Sequence, residues 1–221
     1  LLATGPNQVW SWDITRLKGP AKWSYFYLYV ILDIYSRYIV GWLIAQQESE
    51  ALARQLVSES CRKQQIGKEH LTLHADRGSP MVAKSMEQLL SDLSVAKSHS
   101  RPHTSNDNPF SEAQFKTMKY RPDYPQRFGS IEDARTWARA SVSWYNQEHR
   151  HTGIALMAPA TVHYGLAGRV NEKRQQVLQA AYEQHPERFV KGAPTPPQLP
   201  GAVWINPPTV SHDGAGESEP E

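Results

Sequence analysis

Three features of the sequence predict an α/β fold built on a mixed five-stranded sheet with helices on both faces. Three consecutive segments near the start are rich in aromatic and β-branched residues. Segments of helical and strand period alternate after them. The second and third of the early segments are apolar nearly throughout, as expected of strands at the centre of a covered sheet.

The elements follow in order. Val9 to Leu17 alternates, with Trp10, Trp12 and Ile14 on one face and Ser11, Asp13 and Thr15 on the other. Trp23 to Asp33 and Ser36 to Ala45 are joined by the short Asp33-Ile34-Tyr35-Ser36 junction and read as a hairpin. Ser49 caps a helix running to about Gln65, with Leu52, Leu56, Val57 and Cys61 inward and Gly67 beyond its end. A short strand, Leu71 to Ala75, precedes a helix opened by Pro80 that turns Val82, Met86, Leu89, Leu90 and Leu93 inward. Val95 to Ser98 supplies a fifth strand. A polar turn, Arg101 to Asn108, leads into a helix from Pro109 to about Tyr120 that stops before Pro122. Ser130 and Asp133 form a capping-box pattern for a long helix with Ala134, Trp137, Ala138, Ser141, Val142 and Tyr145 on one face. Residues 1–165 are therefore expected to form the core, 166–190 an appended helix, and 191–221 a proline-rich and acidic tail that is poorly ordered.

Composition narrows the function. The 221 residues are 39% hydrophobic, enough for a core of one domain plus an appendage. No apolar run reaches the ~18–20 residues of a membrane helix, and the opening Leu1-Leu2-Ala3-Thr4-Gly5-Pro6 lacks the anatomy of a signal peptide. The chain opens without a methionine, and the expectation is a piece of a longer protein. A lone cysteine, Cys61, excludes an internal disulfide framework and a cysteine-built zinc site. The net charge is only +2, yet four acids and no base lie in Thr209 to Glu221. Without that stretch 24 bases face 18 acids, a charge of +6.

Three acids stand where structural reasons are weakest. Asp13 interrupts a β-favouring strand, where Asp is depleted. Asp76 ends a short apolar strand, at the sheet edge where α/β proteins bind ligands. Glu112 falls in the first turn of the Pro109 helix. Singly, Asp76 also suits a turn and Glu112 a first-turn acid favoured by the helix dipole. Together they point elsewhere. Thirty-five residues separate Asp76 from Glu112, and one helix, one strand and one turn bring both to the same edge. Three converging carboxylates need a counter-charge. A pair of Mg²⁺ ions, oxygen-loving and suited to in-line phosphoryl displacement, supplies it.

The segments Trp10-Ser11-Trp12-Asp13-Ile14-Thr15, His74-Ala75-Asp76-Arg77-Gly78-Ser79 and Asn106-Asp107-Asn108-Pro109-Phe110-Ser111-Glu112-Ala113-Gln114-Phe115-Lys116 resemble the catalytic core of retroviral-type integrases. More narrowly, they resemble the DDE transposases of bacterial insertion sequences. Trp144-Tyr145-Asn146, His149-Arg150-His151 and Ala158-Pro159 are similar to the end of that domain. Two departures are plain: Pro80-Met81 stands where the family usually has a Tyr, and Asn106 replaces an aromatic residue. The resemblance implies an RNase H-like fold and metal-binding catalytic roles for Asp13, Asp76 and Glu112. It further implies two-metal strand cleavage and strand transfer on double-stranded DNA, at element ends and target. A homo-oligomer in the DNA complex, a missing upstream DNA-binding segment and a cytoplasmic, nucleoid-associated location follow from it as well. An RNase H-like nuclease and a domesticated, non-catalytic DNA-binding protein are the alternatives.

Basic residues cluster around the third acid. At about 100° per residue, Glu112, Lys116 and Lys119 share a ~60° sector of their helix, where a solvated ion-pair stripe and a phosphate contact are both available. Lys116, Lys119, Arg77, Arg101, Arg121 and His103 are the candidate DNA contacts. His74 reads as a packed strand histidine, and His149 and His151 as packing or DNA-facing residues. The tryptophans read as core or interface, and none is assigned to base stacking.

Overall fold

The computed structural model describes residues 1–67, 71–76, 84–99 and 108–207. In chain order the elements are β1 (Leu2–Ala3), β2 (Val9–Lys18), β3 (Tyr25–Asp33), β4 (Ile39–Ala45), α1 (Glu50–Lys63), β5 (Thr72–Ala75), α2 (Lys84–Asp92), β6 (Ala96–His99), α3 (Pro109–Lys119), α4 (Ile131–Gln147), α5 (Pro159–His163), α6 (Ala167–Gln184) and β7 (Val203–Trp204). Five strands form one sheet in the order β4-β3-β2-β5-β6. Strands β2, β3 and β4 are antiparallel neighbours, whereas β5 runs parallel to both β2 and β6. The expected fold class is what is observed, within a residue or two at most strand ends.

Strand alternation divides the core into two layers. On one face Trp10, Trp12, Tyr29 and Ile31 pack against Leu56, Val57 and Cys61 of α1 and Met86 and Leu90 of α2. On the other, Leu17, Leu28, Val30 and Leu32 pack against Phe115 and Met118 of α3 and Ala138, Val142 and Tyr145 of α4. Ser49 and Ser130 cap α1 and α4 as their sequences direct, accepting from the amides of Leu52 and Asp133. The expected helix start at Pro80 and its inward Val82 lie outside the described residues.

Close approach and polar stitching set the helices on the sheet. A Cβ at Gly41 of β4 would overlap Ser60 Oγ of α1 and touch Leu56 at 3.2 Å, so glycine lets this helix settle onto the strand. Opposite, Asn146 of α4 receives the Ile39 amide at 2.9 Å and donates to the Ile39 carbonyl at 3.1 Å. The β3–β4 turn closes on Asp33, a fully buried carboxylate. It accepts from the amides of Asn7 at 2.6 Å and Ser36 at 2.7 Å, and from the Ser36 hydroxyl at 2.6 Å. Ser36 Oγ in turn lies 2.9 Å from His163 Nδ1 of α5.

Residues 191–207, the described part of the carboxyl-terminal stretch, include the short strand β7. Val203 and Trp204 pair antiparallel with Ala3 and Leu2. The cause is burial: Val203 and Ile205 join Ala3, Val9 and Ile34 in a small core cluster. Helix α6, by contrast, buries only Ala167. Among the described residues no helix is long and apolar enough to cross a membrane.

Candidate active site

Helix α3 lies along β2, and two sets of polar contacts fix its register. At one end Ser11 Oγ, wholly buried, donates to Asn108 Oδ1 and contacts Ser111 Oγ. Asn108 Nδ2 donates to the Trp12 carbonyl at 3.2 Å. At the other end Lys119 Nζ donates to Thr15 Oγ1 at 2.6 Å. Eight helical residues from Ser111 to Lys119 rise ~12 Å, and four strand residues from Ser11 to Thr15 span ~13 Å. The two spans match, so strand and helix stay in step with Asp13 held between the anchors.

Asn108 is the N-cap residue of α3, yet its side chain makes no capping bond. It is committed to β2 instead. Sequence reasoning quoted Asn108 and Ser111 within a motif and gave neither a role. Their signal was slight: small polar residues at the start of a helix ordinarily serve its own amides.

Asp13 shares a strand face with Ser11 and Thr15, and its Oδ1 accepts from the Ile14 amide at 2.7 Å. Burial pushes its carboxyl up to about 7; the Ile14 amide opposes this, the charges of Asp76 and Glu112 add to it, and that of Lys119 opposes it. The charges of Asp76 and Glu112 thus both reach Asp13. Asp76 follows Ala75, the residue that pairs with Trp12, and is exposed at the end of β5. Glu112 is exposed in the first turn of α3. Asp76 and Glu112 are thus exposed carboxylates, whereas Asp13 is half-buried. Among the described residues no group of three or more His, Cys, Asp or Glu lies close enough together to hold a metal ion. In chemistry, as all-oxygen donors, the three carboxylates are of the kind that suits a hard divalent cation.

The basic residues divide. Lys119 is half-buried, with its ammonium facing Asp13, and burial lowers its pKa. Lys116 is exposed beside Glu112, and with Phe115, Lys119 and Tyr120 these residues line a hollow of about 420 Å³. Larger hollows lie away from the acids, between β4, α1 and α4 and along α6. Arg121 is not brought to the acids. Its guanidinium pairs with Asp123 at 2.7 and 2.8 Å and stacks 4.0 Å above the Trp144 ring. Arg77, Arg101 and His103 lie outside the described residues. His74 is buried in β5 with Nδ1 3.1 Å from Ser98 Oγ of β6. His149 packs on Trp144 and Tyr145, and His151 Nδ1 accepts from the Gly153 amide.

Two family profiles, each described as "Integrase core domain", match residues 3–105 and 93–159. The transposase for insertion sequence element IS904 of Lactococcus lactis subsp. lactis (strain IL1403) is 31% identical over 170 residues, which is 71% of this chain and 61% of that protein. Transposase InsF for insertion sequence IS3A of Escherichia coli (strain K12) is 27% identical over 158 residues, 71% of this chain and 54% of that protein. The chain thus spans a little over half the length of these curated relatives. Among solved structures, a simian T-cell lymphotropic virus intasome in complex with PP2A regulatory subunit B56 gamma superposes with a TM-score of 0.57 at 15% identity, covering 73% of this chain and 56% of that one. The HTLV-2 integrase catalytic core domain in complex with magnesium gives 0.51 at 13% identity, covering 72% and 97%. At that identity the likeness is one of fold, and the fold is RNase H-like.

Proposed function

The chain belongs to the integrase core domain family, and from that premise we propose that it is the catalytic part of a DNA transposase. Its reaction is phosphoryl transfer: cleavage of a strand at an element end, then attack of the freed 3′-hydroxyl on a target phosphodiester. Asp13, Asp76 and Glu112 are the catalytic acids. The single observation that carries this reading is the half-buried Asp13, its carboxyl driven up by burial and by two neighbouring carboxylates. A carboxylate so reluctant to ionise alone is one that gains most from a cation beside it.

The three acids would hold Mg²⁺ or Mn²⁺, two ions in all, which when bound supply Lewis-acid stabilisation of charge on the attacking and leaving oxygens. The rest falls to the chain. The Ile14 amide fixes the Asp13 carboxylate. The Ser11–Asn108–Ser111 contacts fix α3, and so Glu112, against that strand. Lys116, exposed one helical turn after Glu112, holds a phosphate flanking the cut. Positioning and charge neutralisation carry this chemistry, so no covalent protein–DNA intermediate is required.

Double-stranded DNA is the partner, and the chain acts as a homo-oligomer that brings two ends together, in keeping with relatives named as transposases and an intasome. The location is the bacterial cytoplasm, on the nucleoid. The experiment is a Mg²⁺-dependent joining assay on duplexes carrying the ends of the element that encodes the chain, with intact protein and Asp13→Asn. Joined products from the intact chain and none from the variant are expected. Equal joining by both overturns the assignment.

A further inference from the structure

The hairpin joining β2 to β3 ends in a tip of unusual composition. From Ile14 to Leu32 the chain carries Arg16, Lys18 and Lys22 and no acid, interleaved with Trp23, Tyr25 and Tyr27. All three bases are exposed. The Arg16 guanidinium lies over Tyr25 at 5.7 Å and Tyr27 at 5.9 Å, and Lys22 Nζ lies 5.6 Å from the Trp23 ring centroid. Among the described residues no carboxylate forms an ion pair with any of the three.

Trp23 is 76% exposed and has a φ of 68°, the left-handed region that a bulky residue rarely adopts. The tip is nonetheless firmly built. Within it, Gly19 N donates to Ser24 O at 2.9 Å and Ser24 Oγ to Ala21 O at 2.8 Å. From the loop after α3, Arg127 donates to the carbonyls of Gly19 at 3.0 Å and Ala21 at 2.9 Å, and the Phe128 amide to Lys18 O at 2.9 Å. An ordered loop thus holds a bare indole in water, flanked by cations. Such an outlier suggests function.

Position narrows the partner. Lys18 is five residues beyond Asp13 on the same strand, ~17 Å away. Helix α3 runs alongside and carries Lys116, Lys119 and the 82% exposed Tyr120 toward the same end. Arg127 then bridges to the tip. A basic and aromatic track leads from the acids to Trp23 with Asp123, already paired with Arg121, beside it. Along one strand of a duplex ~17 Å is about five nucleotides.

We propose that the β2–β3 tip is a second DNA-contact site, in which Trp23 stacks on an unpaired nucleobase more than five nucleotides from the cut while Arg16, Lys18 and Lys22 bind phosphates. A flat π face with surrounding cations fits a base and its backbone, and the absence of acids from the hairpin suits a polyanion. The assignment rests on the DNA-joining reading of the acids but adds residues that reading does not use.

The test uses the 221-residue chain and two fluorescein-labelled 30-base-pair duplexes, one fully paired and one with a three-nucleotide bubble, titrated by anisotropy at several salt concentrations. Trp23→Ala is expected to weaken bubble binding about tenfold and to leave the paired duplex within about twofold. Trp23→Phe should recover most of the loss. Combined Arg16→Gln, Lys18→Gln and Lys22→Gln should weaken binding to both DNAs and reduce the salt slope by about 2–3. Melting temperatures, read in parallel, should not move, because these side chains are exposed. Wild-type binding with all variants within twofold of it overturns the tip site alone. A Phe variant no better than Ala overturns stacking. Failure of the wild-type chain to hold either DNA overturns the tip site and the DNA reading together.

Discussion

Removing the Asn108 side chain tests whether the polar clamp between β2 and α3 holds the acids in place. Asn108→Ala deletes the bond to the Trp12 carbonyl and the acceptor for Ser11, and both residues are buried. Each hydrogen bond contributes about 1 kcal/mol net, and a buried hydroxyl left short of a partner costs about 1–3 kcal/mol. No capping energy is lost, because the side chain caps nothing. The sum is about 2–4 kcal/mol, or a melting temperature roughly 5–12 °C lower for a chain of this size. Ser111→Ala leaves the Asn108–Ser11 bond intact and should cost about 1 kcal/mol. Denaturant unfolding gives the stability difference, and Mn²⁺ titration followed by the melting temperature gives the second readout. Because the clamp orients the helix that carries Glu112, a proposed metal ligand, its loss should weaken Mn²⁺ binding on the order of tenfold. A stability within about 0.5 kcal/mol of wild type, or an unchanged Mn²⁺ midpoint, refutes the reasoning.

Three further outcomes are expected. Gly41→Ala should destabilise by about 1–3 kcal/mol through overlap with Ser60, and adding Ser60→Gly should recover most of it; additive losses in the double variant would disprove the clash. Burial lowers His163, 8% exposed, to about 4, so its neutral form favours the fold: stability is full above pH 6.5 and falls by up to about 3 kcal/mol as pH drops through 6.5 toward 4. His163→Gln should flatten that slope in urea melts, and an unchanged slope counts against it. In chelator at pH 8, Asp13→Asn should melt higher than wild type, because burial and two like charges hold the Asp13 carboxyl at about 7; that group contributes stability below pH 3.8 that is lost as pH rises through 7. A variant melting at or below wild type contradicts this.

The sheet was readable because its alternation is strict. Trp10, Trp12, Tyr29 and Ile31 all point to one layer, and Leu17, Leu28, Val30 and Leu32 to the other. Asp13 was readable for the opposite reason, as the residue that breaks a β-favouring pattern. Much of what positions it was not. Ser11 is a polar strand residue whose burial depends on a helix 97 residues away in sequence, and periodicity carries no information at that range. Arg121 was singled out because it is basic and close to Glu112 in sequence, and sequence spacing could not show that it pairs with Asp123 and stacks on Trp144. Strands β1 and β7 have two residues each, too few for any period, and only the burial of Val203 and Ile205 explains their pairing.

The chemistry of the clamp bears on why the acids remain usable. Asn108, Ser11 and Ser111 are neutral, so they position α3 without cancelling any of the charge on Asp13, Asp76 or Glu112. An arginine or lysine in the clamp would have held the helix equally well and neutralised the acids, lowering their pull on a cation. Among the described residues Lys119 is the cation that acts on Asp13, and it is tethered to Thr15 rather than to the carboxylate. Apolar layers on both sides of the sheet and a few neutral hydrogen bonds thus carry the rigidity. Under the proposed function, a frame made rigid without added cations is what keeps a phosphoryl-transfer centre in register.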